Sequence, residues 1–373
     1  MIIGVLKEPV PETRVSLLPE HVVLLKKMNV EVWVEKSAGN TAFAEDDKYI
    51  QVGATISDRQ SVLQQANILL SIHPLSVEEA QGLSSKILLG IYQPLFFPEA
   101  MQALAKQQHT VFSIDMIPRT TRAQIMDVLS SQANIAGYKA VLTAATQYSR
   151  YIPMFMTAAG SIPPAKVLIL GAGVAGLQAI ATARRLGAVV EVFDTRPAVK
   201  EEVMSLGAKF VEVEGAADAS AAGGYAVEQT AEFMAKQKQK IAESVAKADI
   251  VITTAQIPGK KAPILITTTM VEAMRTGSVI VDLAAATGGN TELTQNNATI
   301  DHKGICIIGN SALAATMASD ASKLYGKNIF NFMSLFISKE GTLNLNFEDD
   351  LVKGTCMVHE GKLVNERVSA LIQ

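Results

Sequence analysis

The run KVLILGAGVAGLQAIATARRLGAVVEVFDTR, at residues 166–196, constrains the fold of this chain more than any other segment. Its apolar β-branched strand leads directly into Gly171, Gly173 and Gly176, and an alanine-rich helical pattern follows these glycines. A second β-branched strand then ends at Asp194, 18 residues after the third glycine. Strand, glycine turn, helix, strand and acid, in this order and at this spacing, predict a βαβ unit that binds a dinucleotide.

Each glycine of the turn has its own physical role in such a unit. Gly171 permits the tight turn, and Gly176 allows the helix to pack close to the strand. Gly173 lets a pyrophosphate approach the backbone, because the helix N-terminus offers free N–H groups near Val174. A glycine turn that only packs a helix on a sheet is the alternative, but it would not require the acid at the end of the second strand.

Asp194 indicates which dinucleotide the unit binds. Its carboxylate can accept hydrogen bonds from both hydroxyls of an adenosine ribose and would repel a 2′-phosphate, which favours NAD(H) over NADP(H). Arg196 leaves NADP(H) open, because a nearby arginine can accommodate that phosphate.

Short β-branched segments alternate with helical patterns on both sides of this unit. Such alternation predicts an α/β fold of two Rossmann-like, doubly wound lobes, joined by long helices and separated by an interlobe cleft. We expect residues 1–130 and 325–373 to form the first lobe, and residues 131–324 to form the NAD(H)-binding lobe with the linking helices. The closing segment, residues 342–363, is predicted to be rich in β-structure.

Two segments lack any strand pattern. Residues 122–150 predict one helix or two abutting helices, with Gly137 as a candidate break. Small residues dominate EGAADASAAGGY, at residues 214–225. This composition predicts either a loop that closes over a bound nucleotide through Tyr225 or a plain surface connection.

The segment RAQIMDVLSSQ raises a question of its own. Gln124, Asp127 and Ser131 are spaced i, i+3 and i+7, so on one helix they would form a stripe of hydrogen-bonding groups. On spacing alone, this stripe could face water or a ligand.

The bulk composition excludes several functional classes. The 373 residues are 49% hydrophobic and 18% charged with a net charge of −3, which suits a folded protein without the basic footprint of nucleic-acid binding. Cys306 and Cys356 lie far apart without a CxxC motif, so we expect no disulfide framework, no metal site and a reducing compartment. No signal peptide is evident, and glycines break the longest apolar run, residues 167–183, so we expect a cytoplasmic chain without a direct membrane span.

Several segments resemble one known family nearly end to end. RAQIMDVLSSQANIAGYKAV, MTAAGSIPPAKVLILGAGVAGLQAIATARRLGA, GGYA, TTAQIPGKKAPILIT and GSVIVDLAAATGGN are similar to the NAD(H)-binding domain I of proton-translocating NAD(P) transhydrogenase, in the alanine dehydrogenase/transhydrogenase superfamily. The resemblance implies one subunit of a Si/Re-specific, proton-translocating NAD(P)+ transhydrogenase. It also implies a homodimer that docks on NADP(H)-binding and membrane subunits and is thereby peripheral at the inner membrane. Hydride would pass directly from NADH to NADP+ on the partner, coupled to proton translocation.

The resemblance also implies which residues contact NAD(H). They are Arg119, Gln124, Ile125, Met126, Asp127, Ser130, Val174, Asp194, Thr195, Arg196, Gly224 and Tyr225. The stripe would then face the interlobe cleft, where Gln124 and Asp127, with Arg119, would hold the nicotinamide and its ribose. Hydride exchange between nicotinamides moves no proton at the reacting carbons, so placement of the rings is needed rather than a general acid or base.

Two other functions stay open at this point. In an alanine dehydrogenase, Arg14 could pair with a substrate carboxylate, but this chain has His73 and Tyr92–Gln93 in place of the lysine and histidine that such an enzyme uses. Asp282 could serve a substrate ammonium or could cap backbone groups at a strand end, which we favour. A non-catalytic NADH sensor would carry the same glycine turn.

Overall fold

The chain folds as two compact units, Met1–Gln132 with Ala314–Gln373, and Ala133–Leu313. The computed structural model describes residues 1–83, 85–213 and 230–372. None of the helices in these ranges combines the length and the apolar composition that a membrane crossing requires.

Strands and helices alternate along most of the chain. The strands are β1 (Ile2–Val5), β2 (Glu31–Glu35), β3 (Thr55–Ser57), β4 (Ile68–Leu70), β5 (Ile87–Gly90), β6 (Thr110–Ser113), β7 (Phe155–Thr157), β8 (Gly160–Ile162), β9 (Lys166–Leu170), β10 (Val189–Phe193), β11 (Lys209–Phe210), β12 (Ile250–Thr253), β13 (Val279–Asp282), β14 (Thr299–His302), β15 (Ile305–Ile308), β16 (Cys356–His359) and β17 (Lys362–Leu363). The α-helices are α1 (Pro19–Lys26), α2 (Asp46–Gln51), α3 (Arg59–Gln65), α4 (Val77–Gln81), α5 (Pro98–Ala105), α6 (Val128–Gln147), α7 (Val174–Arg185), α8 (Lys200–Ser205), α9 (Ala231–Val245), α10 (Thr268–Glu272), α11 (Ala318–Met333), α12 (Asp350–Thr355) and α13 (Glu366–Ser369). Short 3-10 turns cover Asn40–Ala42, Ile114–Met116, Arg122–Met126, Pro197–Val199, Ala285–Thr287 and Ala315–Met317.

The first unit is built on a sheet of strand order β17-β16-β6-β5-β4-β1-β2-β3. Strands β1 to β6 pair in parallel, and β16 and β17 add an antiparallel edge beside β6. The central strands β4, β5 and β6 are buried throughout, as expected for a sheet covered on both faces. The strand order reverses between β1 and β4, which makes this unit doubly wound.

The second unit contains a sheet of order β11-β10-β9-β12-β13-β15-β14, in which only β14 runs antiparallel to its described neighbour. Its order reverses between β9 and β12. A separate two-stranded hairpin pairs β7 with β8. The predicted α/β class, with two Rossmann-like units of mainly parallel strands, is confirmed.

The second boundary between the units follows Leu313, whereas the sequence placed it after residue 324. The reason is the packing of α11, which buries Ala318, Tyr325 and Ile329 in the core of the first unit. Residues near the start of this helix therefore belong with the first unit.

Gly137 does not break the helix in which it lies. Helix α6 runs through it without interruption. A Cβ at this position would overlap the backbone carbonyl of Ala175 in α7, so the glycine allows the two helices to approach closely. The glycine therefore serves packing.

The prediction of a β-rich closing segment is only partly right, because helix α12 occupies some of it. The Asp349 carboxylate accepts a hydrogen bond of 2.9 Å from the backbone N–H of Leu351 and so caps this helix. Leu351 and Val352 are fully buried. The cap and the buried pair favour a short helix where the sequence pattern indicated a strand.

Candidate functional site

The glycine turn lies between β9 and α7 in the second unit. Gly171 has a φ angle of +106°, in the left-handed region that favours glycine. A Cβ on Gly176 would overlap the carbonyl oxygen of Gly171, so the helix can lie this close only with glycine there. At Gly173, in contrast, no described atom lies within 4 Å of the position that a Cβ would take. The turn is therefore tightly packed at one glycine and open at another.

The open position coincides with the N-terminus of α7. Gly173 is the N-cap residue, and Val174 begins the helix with 39% of its surface exposed. The first N–H groups of a helix lack partners within the helix, and the helix dipole is positive at this end. The site also lies where the strand order reverses, at the carboxyl end of β9, so it is suited to an anionic pyrophosphate.

Asp194 follows β10 and lies beside the glycine turn. Its Oδ2 accepts a hydrogen bond of 2.7 Å from the backbone N–H of Ala172. The Arg196 guanidinium donates to both carboxylate oxygens, from Nε at 2.9 Å and from Nη2 at 2.7 Å. These hydrogen bonds with Asp194 outweigh partial burial and raise the pKa of Arg196 above its ordinary value. The acid and the arginine that the sequence singled out thus form one ion pair next to the turn, and the half-buried Thr195 lies between them.

Asp282, at the end of β13, holds the backbone that follows the strand. The fully buried carboxylate accepts hydrogen bonds from the backbone N–H groups of Ala284 at 2.9 Å and Asn290 at 2.6 Å. The hydroxyl of Thr294 donates to it at 2.6 Å. This network supports the interpretation that Asp282 caps backbone groups.

In the first unit, the prediction that Gln124, Asp127 and Ser131 share one helix is wrong. A 3-10 turn covers Arg122–Met126, and α6 begins only after Asp127. The Asp127 carboxylate accepts hydrogen bonds from the N–H of Ser130 at 2.9 Å and from its hydroxyl at 2.6 Å. A side chain that caps the next helix in this way ends the preceding turn, so the spacing does not form a stripe.

The 3-10 turn is fixed by two asparagines that sequence reasoning missed. Asn328 and Asn331 of α11 each donate a side-chain hydrogen bond of 2.9 Å to the carbonyl oxygen of Ile125. Ser131 donates to Asn328 at 2.8 Å. The sequence signal for these two residues is a pair of side-chain amides three residues apart in a helical pattern. Nothing near them in the sequence indicates that they bind the carbonyl oxygen of Ile125. They hold the turn so that Gln124 and Ile125 are exposed.

The predicted contact residues fall into two groups. The first unit holds Arg119, Gln124, Ile125, Met126, Asp127 and Ser130, and the second holds Gly171, Gly173, Val174, Gly176, Asp194, Thr195 and Arg196. Met126 is buried in the core, so its side chain is not open to a ligand. Gly224, Tyr225 and the predicted loop at 214–225 lie outside the described residues. Within residues 1–83, 85–213 and 230–372, no group of three acidic, histidine or cysteine side chains is arranged to hold a metal ion.

A cluster of charged side chains lies where the strand order of the first sheet reverses, after β1 and β4. Glu8 accepts hydrogen bonds from the backbone N–H groups of Ile72 at 2.6 Å and His73 at 3.2 Å. Arg14 pairs with Glu12 at 2.7 Å, and the His73 ring lies 3.1 Å from the same carboxylate. The guanidinium that could bind a substrate carboxylate is thus paired with a carboxylate of the chain itself.

Glu8 is expected to make stability fall as pH rises. Burial raises its pKa to about 7, against the lowering effect of the two backbone hydrogen bonds. Because the unfolded carboxyl ionises near pH 4.5, the folded state loses stability between about pH 4.5 and 7, by at most about 3 kcal/mol. Glu8→Gln removes this loss, so the variant gains stability relative to the natural chain between about pH 5 and about pH 8. Urea unfolding at the two pH values measures the difference.

The exposed Glu99 provides the control for this experiment. Glu99→Gln removes the same charge without the buried environment, and it should leave the pH dependence of the natural chain unchanged. An equal pH dependence in Glu8→Gln and the natural chain would show that the Glu8 carboxyl is not held protonated by burial.

Comparisons with known proteins agree with this geometry. The family model described as Alanine dehydrogenase/PNT, N-terminal domain, matches residues 4–136, and the model of the C-terminal domain matches residues 140–366. A protein from Rickettsia prowazekii, named as the first part of NAD(P) transhydrogenase subunit alpha, is 44% identical over 372 residues, covering 98% of this chain and 96% of the relative. An alanine dehydrogenase from Staphylococcus saprophyticus is 30% identical over 306 residues, covering 81% of this chain and 76% of the relative. The crystal structure of a transhydrogenase from Sinorhizobium meliloti has a TM-score of 0.89 at 44% identity, covering 98% of this chain and all of that one.

Proposed function

The chain belongs to the alanine dehydrogenase/PNT family, and on that premise we propose that it is the NAD(H)-binding subunit of a proton-translocating NAD(P) transhydrogenase. NADH bound to it would pass hydride directly to NADP+ on a partner subunit. The observation that carries the nucleotide half of this proposal is the open position at Gly173, at the N-terminus of α7 and beside the Asp194 carboxylate. The relative at 44% identity whose name is that of a transhydrogenase subunit supports the reaction.

The second unit would bind the adenosine diphosphate half of NADH. The N–H groups at the start of α7 would bind the pyrophosphate, which can approach because Gly173 has no side chain. Asp194 would accept hydrogen bonds from the ribose hydroxyls. The hydrogen bond from Ala172 fixes this carboxylate relative to the turn, so both halves of the subsite keep one geometry.

The exposed Gln124 of the 3-10 turn and two residues that flank the turn, Arg119 and Asp127, would position the nicotinamide half. Gln124 offers amide groups to the carboxamide, and Asp127 and Arg119 would hold the ribose and the ring. These residues would act by placement, since hydride transfer between two nicotinamides requires near contact of the rings and no proton donor. Asn328 and Asn331 fix the backbone of the turn and so support that placement.

Gln124→Asn is expected to leave NADH binding nearly unchanged and to slow hydride transfer by roughly tenfold or more, because a shorter amide misaligns the ring. The measurement is single-turnover transfer from NADH to NADP+ in the presence of the NADP(H)-binding subunit. Gln102→Asn, at an exposed position of α5, is the matched control. Unchanged transfer in Gln124→Asn would remove Gln124 from the positioning role.

The proposed reaction requires partners. We propose a homodimer that docks on NADP(H)-binding and membrane subunits, with the chain cytoplasmic and peripheral at the inner membrane. The name of the Rickettsia relative, which denotes one portion of a subunit alpha, supports an assembly of several subunits. Co-purification of the chain with membranes that contain the other subunits, and its release by salt, is the expected behaviour.

An alanine dehydrogenase is the second candidate, favoured by the relative at 30% identity and by Arg14. Two contacts weigh against it. Arg14 is held by Glu12 and, at 2.9 Å, by Gln132, and the His73 ring lies 3.1 Å from the Glu12 carboxylate, with which it can share a hydrogen bond. Amino-acid oxidation needs a proton-transfer group beside its substrate, and neither contact provides one.

One assay of the purified chain separates these functions. After NADH binding has been established, NADH oxidation is measured with pyruvate and ammonium and without any partner. We expect no turnover. Turnover would make the chain an amino-acid dehydrogenase, whereas binding without transfer even in the presence of the partner subunits would make it an NADH sensor.

A further inference from the structure

The carboxylate of Asp194 has a symmetrical set of donors. Each oxygen accepts one backbone N–H, from Ala172 on Oδ2 at 2.7 Å and from Arg196 on Oδ1 at 2.8 Å. Each oxygen also accepts one guanidinium N–H, from Nη2 on Oδ2 and from Nε on Oδ1. A carboxylate offers about four lone-pair positions, so these donors use its whole capacity.

The guanidinium donors match the ligand that we assign to this carboxylate. A vicinal diol donates two O–H groups, one to each oxygen, in the same side-on manner as a guanidinium fork. The two backbone donors are fixed by the turn and by the chain after β10. The diol can therefore bind only at the two positions that the Arg196 side chain occupies.

We propose that Arg196 is a specificity-determining residue that competes with the adenosine ribose for Asp194 and leaves the carboxylate when NADH binds. This inference rests on the proposed function, because it takes Asp194 as the ribose-binding acid. The apparent affinity for NADH is then the intrinsic affinity multiplied by the fraction of molecules in which the ion pair is open. Bidentate, charge-assisted pairs are among the strongest hydrogen-bonded contacts in proteins. Only 6% of the Asp194 side chain and 19% of the Arg196 side chain are exposed to competing water, so we expect the closed fraction to be large.

The competition also selects the nucleotide. Only a ligand with both hydroxyls free replaces both guanidinium hydrogen bonds. A 2′-phosphate replaces at most one of them and brings negative charge to the carboxylate. The Asp194–Arg196 pair therefore favours NAD(H) over NADP(H) in two ways. The negative charge of Asp194 repels a 2′-phosphate, and only a free diol replaces both hydrogen bonds of the Arg196 guanidinium.

The test compares NADH and NADPH binding to the full chain, by calorimetric titration, in Arg196→Gln and in the natural protein. Loss of the competitor should tighten NADH binding by about tenfold, with no gain for NADPH. Arg185→Gln, which removes the same charge from an exposed position of α7, should change neither affinity. In an Asp194→Asn background, Arg196→Gln should give no tightening, because the competed carboxylate is absent.

Each other result overturns the proposal. Unchanged or weaker NADH binding in Arg196→Gln would mean that the side chain does not compete. A loss of NADPH affinity with unchanged NADH affinity would assign the guanidinium to a 2′-phosphate. If Arg196→Gln does not fold, Arg196→Lys makes the same test, since one ammonium cannot bridge both oxygens as the fork does. If neither the natural chain nor the variant binds NADH, the proposed function fails and this inference fails with it. If both bind NADH with equal affinity, only this inference is refuted.

Discussion

Gly176→Ala is expected to lower the free energy of unfolding by roughly 3 kcal/mol, as a strongly overpacked substitution. The added Cβ would overlap the carbonyl oxygen of Gly171, and it would also lie 3.6 Å from the side chain of Ile169 in β9. The backbone oxygen cannot move aside like the end of a flexible side chain, so α7 must shift away from the sheet. Urea unfolding monitored by circular dichroism measures the loss.

Gly173→Ala is the matched control, because it adds the same methyl group three residues earlier in the same turn. The space around that methyl group is open, so stability should change by less than about 1 kcal/mol. NADH affinity should nevertheless fall by about tenfold or more, since the methyl group lies where a pyrophosphate must approach the helix N-terminus. Equal destabilisation by the two substitutions would contradict the packing described for the turn, and full NADH affinity in Gly173→Ala would contradict the pyrophosphate position.

Asp194→Ala is expected to weaken NADH binding by roughly thirtyfold, equivalent to about 2 kcal/mol for charge-assisted hydrogen bonds to the ribose. The substitution also removes the acceptor of the Ala172 N–H and so loosens the turn that faces the pyrophosphate. Fluorescence titration with NADH gives the affinity directly.

Asp301→Ala is the control for charge, because Asp301 is an exposed aspartate of the same unit. It should bind NADH as the natural chain does. If Asp194→Ala retains the affinity of the natural chain, the carboxylate does not hold the ribose, and the inference about Arg196 loses its basis.

The glycine turn could be predicted from sequence because its determinants are local. The tight turn requires Gly171, the close helix requires Gly176, and the second strand ends at Asp194. All three features can be recognised within a segment of about 30 residues. The same locality allowed the doubly wound character of each sheet to be anticipated from alternating strands and helices.

The local structure around Gln124, a 3-10 turn rather than a longer helix, could not be predicted in the same way. Whether the segment forms one helix depends on Asp127, which either continues a helix or caps the next one, and the spacing is the same in both cases. The partners that decide the outcome, Asn328 and Asn331, lie 203 and 206 residues after Ile125 in the chain. Gly137 illustrates the same limit, since its role as a packing glycine depends on Ala175 in a different helix.

The cluster of charged side chains around Arg14 depends on distant residues as well. The sequence offers an arginine, two glutamates and a histidine without indicating that Glu12 pairs with both Arg14 and His73. His73 lies 61 residues from Glu12, so their contact follows from the parallel pairing of β1 with β4. The contacts of these residues in the folded chain, which the sequence does not indicate, therefore bear on the choice between an amino-acid dehydrogenase and the proposed transhydrogenase subunit.

The most direct measurement of that function follows one isotope. NADH carrying deuterium at both C4 positions is added to the chain together with the NADP(H)-binding subunit and NADP+, and the NADPH formed is analysed by mass spectrometry. Direct transfer predicts one deuterium in each NADPH molecule, with no exchange into water and no NADPH formed when the chain is omitted. NADPH without deuterium, or formation of NADPH at the same rate without the chain, would contradict the assignment of this protein as the NADH-binding partner in hydride transfer.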